Sequence, residues 1–129
     1  MLLRSTALLC ALAATAIARG DDVRQIQLGN LNPGSRFEIS TTDRVYRGEM
    51  VDPTTGEARL AASRNGVQFS QPQTVFLLGA TQGRQAEAGG LMLVKMNQLQ
   101  TGMCVELGLG SLEESDRCIT EPVRALHID

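Results

Sequence analysis

The chain has 129 residues, 14 acidic against 12 basic side chains, and a formal net charge of −2. It has no tryptophan, one tyrosine and three phenylalanines, and no basic block. It therefore lacks both the positive stripe of a nucleic-acid binder and the aromatic platform of many sugar-binding surfaces. A lone histidine, His127, leaves little material for a zinc site or a Ser–His–Asp triad.

The chain opens on an export leader. Arg4 supplies a positive start, Ala7 to Ala18 an apolar run, and Ala16-Ile17-Ala18 an A-x-A-like cleavage site. The run is shorter than the ~20 apolar residues of a membrane-spanning helix. Leu9 is too large for the residue that precedes a lipoprotein cysteine, so Cys10 is assigned to the leader. Residues 1–18 are expected to be removed, and residues 19–129 to form a single β domain, secreted or periplasmic.

Val23 to Leu28 forms a short strand, and Asn30 to Gly34 (NLNPG) a turn. Phe37 and Ile39 face inward from the next strand, with Arg36 and Glu38 on its other face. Arg44 to Gly66 is the most informative stretch. Tyr46, Gly48 and Met50 alternate with Arg47 and Glu49, and Ala58, Leu60 and Ala62 alternate with Glu57 and Arg59, the period of half-buried strands. Asp52-Pro53-Thr54-Thr55-Gly56 between them is turn chemistry. Folding about that turn sets Glu49 opposite Arg59 and Gly48 opposite Leu60. Asn65-Gly66 then predicts a tight second hairpin that pairs Ala62 with Phe69 and turns Phe69 inward.

Thr74 to Leu78 (TVFLL) reads as a strand buried on both faces. Gly79 to Gly90 is a polar, Gly- and Ala-rich loop, and its Gln82, Arg84, Gln85 and Glu87 are the candidate contact residues. Leu91 to Gln98 is the next strand, with Met92, Val94 and Met96 on one face as core filler. Met103, Val105 and Leu107 face inward from the strand after it. Gly108 to Asp116 is an acidic loop that lacks the third glycine of a dinucleotide fingerprint. Pro122 marks an edge or a bulge in the last strand, and Val123, Leu126 and Ile128 close the chain.

Cys104 and Cys118 both fall on the outward set of their strands. In an oxidising compartment this even pair predicts a disulfide, worth about 3 kcal/mol for a loop of this size. The segments Leu31–Ile39 and Leu99–Leu107 share the pattern L-x-x-G-x-x-apolar-E-apolar, and Thr42–Tyr46 resembles Ser115–Ile119. That overlay suggests an internal two-fold repeat and places the two cysteines on neighbouring strands. The series Gly34-x-x-Phe37-x-Ile39 and Tyr46-x-Gly48-x-Met50-x-Asp52 resembles the first motif of Sm-like barrels. The resemblance implies a small, strongly bent antiparallel barrel. No second motif of that family follows, and no RNA partner is carried over.

The expected fold is all-β: a small antiparallel barrel or strongly bent sheet of about seven to eight strands, with the two-fold repeat as an internal option. The expected function is a binding or structural module of the cell envelope or extracellular space, with a protein or envelope component as partner. It would work through the Gly79–Gly90 loop or an open sheet edge. No catalytic residue, cofactor, metal, nucleic acid or stable membrane span is assigned. The alternative is a small secreted hydrolase or protease inhibitor. A cleft uniting two carboxylates such as Glu38 and Glu106, or a rigid loop centred on Arg84, would favour it.

Overall fold

The computed structural model describes residues 21–82 and 94–129. Period-two alternation shapes most of it. The strands are β1 (Asp21–Val23), β2 (Gln25–Gln27), β3 (Arg36–Thr41), β4 (Val45–Asp52), β5 (Glu57–Ser63), β6 (Gln73–Thr81), β7 (Val94–Met96), β8 (Gln98–Gln100), β9 (Cys104–Leu109), β10 (Arg117–Ile119) and β11 (Val123–Ile128). Every pairing among them is antiparallel. The main sheet runs β1-β11-β3-β4-β5-β6-β9-β10, with β7 also on β6, and β2 and β8 form a separate ribbon. No helix among the described residues is long and apolar enough to cross a membrane.

The β4–β5 hairpin follows its sequence closely. Glu49 faces Arg59, Gly48 faces Leu60 and Tyr46 faces Ala62. At the turn the Asp52 carboxylate accepts the Thr54 amide at 3.0 Å and the Thr54 hydroxyl at 2.6 Å. Gly56 donates its N–H to the Asp52 carbonyl at 2.9 Å with φ +80°, a conformation that favours glycine. Gly48 also faces Phe37 of β3. A Cβ on Gly48 would collide with the Phe37 ring, so the space over this glycine belongs to phenylalanine.

One face of the main sheet carries Phe37, Ile39, Met50, Leu60, Val75, Leu77, Val105, Leu107 and Leu126, all buried. The ribbon adds Ile26 and Leu99 to the same core, and the 3-10 turn that follows β2 adds Leu28. Burying about 25 cal/mol per Å² of such surface is the main stabilising term. The sheet curls around this core without closing into a barrel, and its ends are β1 and β10. The two limbs meet at Val123. That residue pairs with Thr41 of β3, accepts a hydrogen bond from Gly102 N–H at 2.8 Å, and donates its own N–H to the Met103 carbonyl at 2.9 Å.

Four local expectations are corrected. Asn65-Gly66 does not make a tight hairpin. The Asn65 side chain accepts the amides of Val67 and Gln68, and the wider loop that results brings Ser70, not Phe69, to Ala62. Phe69 lies on the outer face, 4.2 Å beneath the Arg47 guanidinium. β6 continues through Gly79, Ala80 and Thr81, because β7 and β9 both pair with that stretch. Of the expected strand Leu91 to Gln98, residues 91–93, with Met92, lie outside the described residues; the remainder breaks at Asn97, whose φ of 57° directs the chain from β6 to the β2–β8 ribbon. Met96, just before the break, is 63% exposed and not core filler.

The two segments of the suggested repeat share a turn. Ser35 donates to Asn32 and Met103 donates to Gln100, with Gly34 and Gly102 at φ +89° and +86°. The downstream pairing parts: Ile39 faces Tyr46, whereas Leu107 faces Cys118, one residue earlier than the overlay requires. The internal repeat is not established beyond the shared turn.

Candidate functional site

The cysteines were expected to bridge, and they do not: both are free. The β9–β10 register gives the reason. Cys118 sits directly opposite Leu107 and therefore shares its inward face. Cys104 alternates with Val105 and Leu107 onto the other face and pairs with Thr81 of β6. Burial pushes the Cys118 thiol above its ordinary value. Burial, followed by the Glu121 carboxylate, does the same to Cys104. A protonated thiol is a weak nucleophile.

The acids offered for general acid–base work are also separated. Glu38 on β3 lies 3.3 Å from Arg47, and Glu106 on β9 lies 4.0 Å from Arg117. Each is held by an arginine of its neighbouring strand. Among the candidate loop residues Gln82 is exposed at the end of β6, and Arg84, Gln85 and Glu87 lie outside the described residues. Among the described residues no cluster of metal-ligating side chains forms.

The fold instead builds a cavity of about 560 Å³ at the mouth of the curled sheet. Leu60 of β5, Val75 of β6 and Leu107 of β9 are buried core residues that form its apolar floor. Tyr46 and Cys118 line its walls, partly buried against the same core. Asp43, Arg44, Ser70, Gln73, Thr120 and Glu121 supply polar groups around it. Leu109, 50% exposed, adds an apolar residue where polar ones would suffice for solubility. Burial pushes the Tyr46 phenol up, and the Arg44 guanidinium beside it partly opposes that. The phenol thus stays a neutral hydrogen-bonding group across the physiological range. An apolar floor with a few convergent polar groups is the usual form of a ligand site.

A second depression, of about 590 Å³, lies over Arg36, Glu38, Arg47, His127 and Asp129 on the outer face. Three of its side chains have partners: Arg47 pairs with Glu38 inside it, Arg36 lies 3.5 Å from Glu49, and His127 Nδ1 lies 2.5 Å from the Asp22 carboxylate. Phe37 and Gly48 are its apolar lining, against three buried aliphatic residues at the mouth, and its other lining residues are charged or polar.

The mouth borders β10, the last strand of the sheet. Sequence reasoning missed this site because its residues come from five strands and three loops far apart in the chain. One signal was available. The inward alternation Val105, Leu107 continues to Leu109, inside what reads as an acidic loop. No protein-family model, no curated protein and no solved structure matches the chain.

Proposed function

We propose that this chain is an exported, non-catalytic β-module that binds a protein or cell-envelope component at the mouth of its curled sheet. The observation that supports this reading is the apolar-floored cavity of about 560 Å³ beside β10, an edge strand that among the described residues pairs with β9 alone. The raised thiols and the arginine-paired glutamates favour binding over chemistry at these groups. The leader-like segment at residues 1–18 supports export.

The test follows the chain expressed with its own leader. Intact mass should give a start at Arg19, and the processed protein should co-fractionate with envelope material. Leu109→Ser, at a half-exposed position, should leave thermal unfolding unchanged and reduce that association. An uncleaved cytosolic chain, or envelope association indifferent to Leu109→Ser, would overturn the proposal.

A further inference from the structure

We propose that the partner binds as a strand: a basic, extended peptide segment adds to the free edge of β10 and seats one apolar side chain in the mouth cavity. This rests on the binding reading above and names its partner class. Three observations carry it.

The first is the edge. Thr120 donates its N–H to the Val105 carbonyl at 2.9 Å, which directs residue 120 toward β9. Antiparallel ladders alternate, so Cys118 is directed to β9 as well, and Ile119 turns its N–H and C=O away from it. β10 ends the sheet, so that edge carries no strand among the described residues. An added strand gains main-chain hydrogen bonds there, the mode by which sheets capture extended peptides.

The second is the cavity. It opens beside residues 118–121, so a strand laid along this edge passes its mouth. The side chains of such a strand alternate, and one set points toward the floor of Leu60, Val75 and Leu107. Leu109 and Ile119, 50% and 40% exposed, extend the apolar surface at the same place.

The third is charge. Asp43 and Glu121 line the mouth. Glu113 and Glu114 lie in the loop that delivers β10, and Glu106 is on the strand that holds it. Two cations oppose them: Arg44 lies beside the Tyr46 phenol, and Arg117 reaches Glu106 and the Leu112 carbonyl. The surplus is negative, so the complementary segment is basic. Period two then gives its pattern as basic-x-apolar-x-basic.

The test uses the processed protein and a fluorescent, end-blocked Lys-Thr-Leu-Thr-Lys peptide in an anisotropy titration. Binding should weaken as salt rises, since exposed charge pairs are screened. Replacing the central leucine by asparagine, or combining Asp43→Asn with Glu121→Gln, should weaken binding on the order of tenfold. N-methylating one alternate set of peptide amides should abolish binding, and methylating the other set should leave it intact. Bound peptide should also protect Cys118 from alkylation in a Cys104→Ser background.

Equal binding of a Glu-flanked peptide, or indifference to both N-methyl series, overturns the strand proposal. Decanoate protecting Cys118 where the peptide does not would overturn it while sparing the binding-module reading. Protection by neither ligand would count against both.

Discussion

Gly48 shows how one position is decided by a neighbour that the local pattern does not reveal. The alternation put it opposite Leu60, which is correct, but the ring that occupies its space comes from Phe37 on the other side. Gly48→Ala should therefore destabilise the fold by about 1–3 kcal/mol through overpacking. Urea denaturation would show this, and combining it with Phe37→Leu should recover part of the loss, because the two sites share one volume. Asp52 is decided locally. The Thr54 hydroxyl and amide hold its carboxyl below the usual carboxylate range. Its folded form ionises at lower pH than the unfolded form, so its stabilisation is present above the unfolded value and is lost as pH falls through the folded one. Asp52→Ala should lower the denaturation midpoint at neutral pH and make little difference in strong acid. A loss equal at both pH values would refute the linkage.

At the scale of elements, legibility tracked sequence distance. The β4–β5 hairpin was readable to the residue pair because its turn residues and both faces lie within one short stretch. The limits of β6 were not, because Gly79, Ala80 and Thr81 look like the start of a polar loop until β7 and β9 pair with them. Asn97 was invisible for a similar reason. Nothing local requires a kink between Met96 and Gln98, yet the Asn97 N–H donates to the Leu78 carbonyl and its own carbonyl accepts from the Leu28 N–H, each at 2.8 Å, so the residue ties β6 to the turn that follows β2. Its φ of 57° suits asparagine or glycine and opposes a β-branched side chain. Asn97→Gly should be close to neutral, and Asn97→Val should cost at least about 1–2 kcal/mol. Thermal melts of the pair would settle this, and equal melting would mean that the kink is not a constraint.

At the scale of the whole molecule, the cysteines were where reasoning from composition went furthest astray. Their even number and the export leader predicted a bridge, and the overlay with Arg36 and Val45 supported it. The β9–β10 pairing instead put Cys118 inward and Cys104 on the opposite face. Alkylation under denaturing, non-reducing conditions should modify both thiols of Cys104 and Cys118, and the protein should unfold at the same temperature with and without reductant. A two-dalton mass deficit would restore the bridge and reject the register. The mouth cavity was illegible for a related reason. It exists only when β4, β5, β6, β9 and β10 are brought around one core.

Val123 has a consequence for the order of events during synthesis. β3 meets its β4 neighbour almost as soon as both emerge, but its other neighbour is β11, the last of the described strands. Until Val123–Ile128 leaves the ribosome, the outer edge of Phe37 and Ile39 stays open and able to template pairing with another nascent chain. The same six residues cover that edge and, through Val123, join it to the far limb. A nascent chain stalled before this point would hold most of its core residues and still present a sticky edge. The arrival of β11, not the early hairpin, closes this edge.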